Sequence, residues 1–384
     1  MKRGLFEADH EVFRDVVREF VAREVLPHQE RWDREHIIDR STWLAAGKQG
    51  VIGLPVPERY GGVGTDDFRF RCVVAEELAR VGASSLSSGF GLQDDIALPY
   101  LTDLGTEEQR ARWLPGVASG ELILAIAMTE PGAGSDLQGV RTTARRDGDE
   151  WVINGSKTFI TNGIHSDLVI VVARTDAGAG ARGFSLLAVE RGTPGFSRGR
   201  QLEKLGLVAQ DTAELFFDEV RVPAANLLGT EGSGFVHLME RLPRERMSIA
   251  YAGLAGARAA LDWTVAYTRE RSAFGRPLAA YQNTQFELAE LVTEVDVLEA
   301  FMDKAVLELN DGTLTAVDAA KAKLWATEVQ GRVVDRCLQL FGGYGYMLEY
   351  PIARAWADAR VQRIYGGTSE IMKTIIARDL TGLR

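Results

Sequence analysis

The hydrophobic period of this 384-residue chain changes twice, near residue 121 and again near residue 235. Before the first change, Ser41–Gln49, Asp67–Val81 and Asp95–Leu104 carry helical spacing. Glycine-rich breaks such as Gly61-Gly62-Val63-Gly64 separate them, and Thr106 is placed to cap the helix that follows. Between the two changes the apolar segments are short and rich in β-formers: Glu121–Met128, Trp151–Ile153, Thr158–Thr161, Leu168–Ala173, Phe184–Val189 and Ala213–Phe217. Asp147-Gly148 and Asn154-Gly155 are hairpin-type turn signals. No helical pattern separates these strands, which excludes a βαβ architecture and predicts an antiparallel β barrel or sandwich.

Past Phe235 the helices are long. Leu288, Leu291, Val295, Leu298, Met302, Ala305 and Leu309 alternate steps of three and four up to Asn310-Asp311-Gly312. Thr315–Phe341 forms the next helix and stops at Gly342-Gly343. The expected class is α+β in three domains: an all-helical domain over 1–120, a β domain over 121–234 and a four-helix bundle over 235–384.

Lys and Arg number 44 against 54 Asp and Glu, a net charge of -10 that argues against general nucleic-acid binding. Cys72 and Cys337 are isolated, and the five histidines are scattered, so neither a disulfide framework nor a metal site is expected. No apolar run approaches the roughly 20 residues of a membrane span. The start Met1-Lys2-Arg3-Gly4-Leu5-Phe6 has neither a signal h-region nor a transit-like segment. A bacterial cytoplasmic protein is the expectation, with a mature mitochondrial-matrix form as the alternative.

Two stretches carry chemistry. Ala127-Met128-Thr129-Glu130-Pro131-Gly132-Ala133-Gly134-Ser135-Asp136-Leu137 follows a predicted strand and gathers hydroxyls and glycine-freed N–H groups, suited to phosphate and flavin oxygens. It is not a dinucleotide fingerprint, because Leu137 stands where a third glycine belongs and no βαβ unit surrounds it. In Leu242-Pro243-Arg244-Glu245-Arg246-Met247 a carboxylate lies between two guanidinium groups. Pro243 is expected in the first turn of a long helix, whose positive end and flanking arginines should hold Glu245 ionised. Taken alone, the first stretch reads as an ornate hairpin loop and the second as a solvated charge cluster.

Further motifs change that balance. Phe159-Ile160-Thr161-Asn162-Gly163 follows on a strand, and Arg271-Ser272-Ala273-Phe274-Gly275-Arg276 comes later, with Gln282 beyond it. Gln339-Leu340-Phe341-Gly342-Gly343-Tyr344-Gly345 and Ile364-Tyr365-Gly366-Gly367-Thr368-Ser369-Glu370 complete the set. In this order and spacing they resemble the acyl-CoA dehydrogenase family of flavoproteins, over essentially the whole chain. The resemblance implies FAD as cofactor, held by Ile126, Met128, Thr129 and Ser135, with Phe159 near the isoalloxazine and Thr161 near its reactive nitrogen. Ser135 would also touch the CoA side of the substrate. Arg271, Phe274 and Gln282 would hold the FAD of a neighbouring subunit, with Gln339 and Gly343 completing that site. Thr368 and Glu370 match further flavin contacts, although the family often has Gln at the latter position.

One departure decides the branch. Many members carry the catalytic glutamate in a Tyr-Glu-Gly-Thr run, and here that run is Tyr365-Gly366-Gly367-Thr368. Glycine has no proton-accepting side chain. A minority branch, which includes isovaleryl-CoA and long-chain acyl-CoA dehydrogenases, supplies the carboxylate from another helix, at the position of Glu245. The resemblance thus implies Glu245 as α-proton acceptor, Gly366 as backbone donor to the thioester oxygen, and Arg244, Arg246 and Gly367 near the substrate. It also implies a trans-2-enoyl-CoA product from a medium, long or branched chain, electron-transfer flavoprotein as electron acceptor, and a homotetramer built from FAD-sharing dimers. Alternatives are an acyl-CoA oxidase, usually marked by an extra C-terminal domain, and a silent or nucleic-acid-associated flavoprotein of the same fold.

Overall fold

A computed structural model describes residues 3–383. Helices α1 (Ala8–Phe20), α2 (Gln29–Glu35), α3 (Arg40–Lys48), α4 (Phe68–Arg80), α5 (Ser84–Gly91), α6 (Leu98–Leu104) and α7 (Glu107–Ser119) precede the sheet. Thr106 caps α7 as expected: its Oγ1 accepts from the Gln109 N–H at 3.3 Å, and the Gln109 side chain accepts from the Thr106 N–H at 2.8 Å. Between α5 and α6 the chain makes a π-helical turn, Leu92–Ala97. Such turns rotate the side chains that follow relative to a regular helix. This one buries Gln93, Asp94 and Asp95.

The strands are β1 (Leu124–Ala127), β2 (Thr143–Asp147), β3 (Glu150–Thr161), β4 (Leu168–Arg174), β5 (Phe184–Glu190), β6 (Phe196–Gln201), β7 (Thr212–Pro223) and β8 (Leu227–Leu228). Their order is β6-β7-β3-β2-β4-β5-β8, with β1 added on β4. The expectation of an antiparallel barrel or sandwich needs correction on two points, the closed barrel and the strand direction. The sheet does not close, since β6 and β8 are free edges, and two of its pairings are parallel. β1 enters from a helix rather than a hairpin and runs parallel to β4, while β2 meets β4 through the single pair Thr143 and Arg174. The two lobes face each other as in a sandwich, burying Trp151, Ile153 and Leu215 of one with Val169, Val171 and Leu187 of the other. The opposite face of β4 packs Leu168, Ile170 and Val172 against Leu98, Leu101 and Trp113. Burial on both faces explains why β4 reads as an unbroken apolar run.

Asp147-Gly148 makes the expected hairpin turn, with Gly148 at φ +61°. Asn154-Gly155 does not. It is a bulge inside β3 that joins two segments expected to be separate. A Cβ on Gly155 would meet Thr142 Oγ1 at 2.4 Å, so the bulge brings two backbones together where only glycine fits.

Three long helices follow, α8 (Gly234–Glu270), α9 (Gln282–Asn310) and α10 (Ala316–Phe341), with the shorter α11 (Pro351–Ala359) and α12 (Ser369–Thr381) packed on α10. Leu291, Val295, Leu298, Met302 and Ala305 are buried as their spacing predicts, and Leu288 and Leu309 cover the ends of that seam. Met247, Ala250 and Leu254 of α8 share this core with Phe68 and Cys72 of α4, which ties the first helices to the bundle. Among the described residues, no helix is long and apolar enough to cross a membrane, and no cluster of potential metal ligands is found.

Candidate active site

Pro243 is the tenth residue of α8, not in its first turn, because the helix starts nine residues earlier at Gly234. Glu245 is therefore remote from the helix's positive end, whose field fades within one turn. Adjacent helical residues point in different directions, so Arg244 and Arg246 do not clamp Glu245. The Arg244 guanidinium instead lies 5.7 Å from the Phe68 ring centroid. Among the described residues neither arginine pairs with Glu245, and of the two only the charge of Arg246 bears on it.

The environment works the other way. Glu245 is 3% exposed, and burial pushes its pKa up to about 7, with the Tyr100 hydrogen bond and the charges of Arg246 and Arg241 holding it from rising further. The Tyr100 hydroxyl donates to Glu245 Oε1 at 3.0 Å. Arg241, one turn before Glu245, lies 5.3 Å over the Tyr100 ring. Tyr100 and Arg241 escape a reading based on sequence neighbours; the i−4 spacing of Arg241 was the available signal. Tyr100 is 145 residues away in sequence, and nothing local announces it.

Glu245 opens on a cavity of about 190 Å³. Gly366, Ile126, Met128, Thr129, Phe159 and Thr161 line it too, so the fold brings together seven of the residues singled out in sequence. Gly366 has φ +62°, and a Cβ there would lie 2.2 Å from Ile249 Cδ1. Ile249 is one turn after Glu245 on α8. The helix that supplies the carboxylate thus also fills the space that a side chain at 366 would need.

The Thr129 loop is anchored by Glu130, a residue quoted in the motif but given no role. Glu130 accepts from the N–H groups of Arg141 (2.7 Å) and Thr142 (2.9 Å), from the Thr142 hydroxyl (2.6 Å) and from Lys157 Nζ (2.9 Å). Phe159 holds φ +59° in β3 and leaves its ring 69% exposed beside Thr129 and Thr161. Ser135 lies exposed further along the loop.

The other residues lie outside the cavity lining. Thr368 caps α12, its Oγ1 accepting from the Ile371 N–H, and Glu370 is exposed in the next turn. Buried Lys323 donates to the Gly367 carbonyl at 2.6 Å, a restraint on the Gly366-Gly367 turn that no motif signals. Arg246 is buried close enough to Lys323 to help burial depress its pKa to about 8. Arg271, Phe274, Gln282, Gln339 and Gly343 are exposed around one end of the bundle. There Arg271 stacks on Tyr344 and the Tyr281 hydroxyl ties back to the Ala273 carbonyl. Phe274 is 99% exposed at φ +49°.

Known proteins match this chain over nearly its whole length. The family descriptions "Acyl-CoA dehydrogenase, N-terminal domain", "middle domain" and "C-terminal domain" match residues 7–121, 125–220 and 232–381. The mitochondrial long-chain specific acyl-CoA dehydrogenase of Sus scrofa is 49% identical over 380 residues, covering 98% of this chain and 88% of the relative. An acyl-CoA dehydrogenase from Geobacillus kaustophilus superposes with a TM-score of 0.95 at 49% identity, covering 98% of this chain and 99% of that one. A glutaryl-CoA dehydrogenase from Mycobacterium smegmatis, solved in complex with FADH2, superposes with a TM-score of 0.91 at 32% identity, covering 98% and 96%. The chain belongs to the acyl-CoA dehydrogenase family.

Proposed function

We propose that the protein is an FAD-dependent dehydrogenase that converts a medium-, long- or branched-chain acyl-CoA to the trans-2-enoyl-CoA, with Glu245 as the α-proton acceptor. The observation that carries this reading is one cavity bordered by a buried carboxylate of raised pKa, the Gly366 turn and the exposed Phe159 ring.

The residues fit the cofactor. A large exposed ring held at positive φ beside two threonine hydroxyls is costly without an aromatic ligand to cover it, and a flavin ring is such a ligand. When bound, FAD supplies the two-electron acceptor for the hydride leaving the β carbon. Ile126, Met128, Thr129, Ser135, Phe159 and Thr161 would hold it, with Thr368 and Glu370 nearby. The exposed end of the bundle, with Arg271, Phe274, Gln282, Gln339 and Gly343, would serve a neighbouring subunit's cofactor in a homotetramer.

The chain's own groups account for the proton. The α C–H of a thioester is a weak acid, and a desolvated carboxylate with a pKa near 7 is a stronger base than one in water. Tyr100 holds Oε1, which leaves Oε2 to face the substrate. The backbone N–H of Gly366 would stabilise charge developing on the thioester oxygen, a role that needs no side chain. Gly367, held by Lys323, would keep that turn in place, and Arg244 and Arg246 would serve the substrate from outside the cavity lining. Electron-transfer flavoprotein as acceptor and a cytoplasmic site of action, which suits two buried free thiols, belong to the same reading.

Anaerobic titration of the purified flavoprotein with a chain-length panel of acyl-CoAs tests it. The expected result is bleaching of the oxidised flavin, fuller with dodecanoyl-CoA than with butyryl-CoA. Bleaching by no member of the panel contradicts the reading. Stoichiometric peroxide in air points to an oxidase instead.

A further inference from the structure

The wall of the cavity carries a polar cluster among apolar side chains such as Phe68, Leu92 and Ile96. Arg71 of α4 lines it, 5% exposed, together with Asp95 of the π-helical turn and Ser248 of α8. Among the described residues, Arg71 makes one hydrogen bond, from Nε to Asp95 Oδ1 at 3.2 Å, and its Nη1 is buried with no partner at all. Ser248 donates to Asp95 Oδ2 at 2.6 Å, so both carboxylate oxygens are engaged while the serine oxygen can still accept. Ser248 follows Glu245 by three residues, about 4.5 Å along the helix axis. The polar group thus stands about one turn past the base, on the wall of the same cavity.

We infer that the preferred acyl chain carries an uncharged oxygen, a hydroxyl or a ketone, beyond the reacting carbons, and that the Arg71 guanidinium is its donor. This rests on the acyl-CoA reading above and narrows it. A guanidinium nitrogen buried without a partner is costly, and an entering chain excludes the water that could reach the guanidinium through the cavity. A chain of methylenes leaves the nitrogen bare. An oxygen placed there satisfies it, and a hydroxyl can also donate to Ser248.

Charge selects a neutral group over a carboxylate. Asp95 already balances Arg71 at 3.2 Å, and Asp94, which takes the Gly53 N–H, lies close enough to bear on the same guanidinium. A carboxylate on the substrate would bring a third acid to one buried cation.

The test compares dodecanoyl-CoA with matched chains bearing a hydroxyl, a ketone or a terminal carboxylate, the first two walked outward from the δ carbon. Flavin reduction is measured in the wild-type holoenzyme and in an Arg71→Met/Asp95→Asn double variant, which removes both charges together. Wild type should favour one oxygenated chain by roughly 10- to 100-fold in kcat/KM over the plain chain, the worth of satisfying one buried donor. In the variant that ratio should fall to about one. A wild-type ratio near one at every position overturns the inference without any variant. A ratio unchanged by the double substitution overturns it too, and preference for the carboxylate overturns the neutral-oxygen assignment. Flavin content and melting temperature report whether the variant has folded, and the wild-type ratio decides if it has not. Failure of every acyl-CoA to reduce the flavin refutes the dehydrogenase reading rather than this refinement of it.

Discussion

Glu245 and Glu130 are both buried, at 3% and 7% exposure, yet their surroundings push their proton affinities in opposite directions. Burial alone raises each. Around Glu130, Thr142, the Arg141 N–H and Lys157 overrule it, and the pKa falls below the usual carboxylate value. Around Glu245, among the described residues, only Tyr100 donates, and the pKa stays near 7. The comparison teaches that donor supply, rather than depth, separates a structural carboxylate from a reactive one. The β-domain loop has a permanently charged anchor, while α8 holds a carboxylate poised to exchange its proton.

Four outcomes break or sharpen this contrast. The largest is expected from Glu245→Gln, which should retain FAD and lose roughly 10²–10⁴ in the rate of anaerobic flavin reduction by stopped flow. Next, Glu130→Ala leaves Lys157 buried without its counter-ion, so urea unfolding should show a loss of about 3–5 kcal/mol. A loss under 1 kcal/mol would mean that the loop has no charged anchor. Tyr100→Phe removes the one hydrogen bond that lowers the Glu245 pKa. The rise of kcat/KM with pH, centred near 7 in the wild type, should move upward by about one pH unit. An unmoved profile would detach Tyr100 from the base.

The smallest effect concerns stability, and its sign differs between the two residues. Both carboxylates have a reference pKa of 4.5. Glu245 binds its proton more tightly when folded, so its contribution is present below pH 4.5 and is lost as pH rises through about 7. Glu245→Gln should therefore gain about 1–2 kcal/mol relative to wild type between pH 5 and pH 8. Glu130 contributes stability above the usual carboxylate range and loses it in acid. Parallel stability–pH curves for the wild type and Glu245→Gln would show that Glu245 is not held protonated by the fold.

Much of the site was legible in sequence because its motifs are local. The Thr129 loop, Phe159-Ile160-Thr161 and the glycines at 366 and 367 each carry their signal within a few residues, and seven of the marked positions meet at the cavity. What was not legible depends on residues that meet only in space. The rule placing proline in a first turn failed at Pro243, because α8 begins at Gly234 and packing on α4 and α10 carries it through the proline. The ionised clamp failed because helical neighbours diverge and burial outweighs them. The parallel pairing of β1 with β4 was invisible, since alternation within a strand says nothing about its partner's direction. Arg71 drew no notice because a lone arginine in a helix is ordinarily solvated, and its depth and its place on the cavity wall exist only in the fold.

The claim that Glu245 is the proton acceptor meets its most direct test in hydrogen exchange at the α carbon. The holoenzyme is incubated in deuterium oxide with dodecanoyl-CoA, and label at that carbon is followed by mass spectrometry. The expected result is incorporation by the wild type and a rate lower by roughly 10²–10⁴ in Glu245→Gln. Exchange by the variant at the wild-type rate would place the base elsewhere and contradict the account.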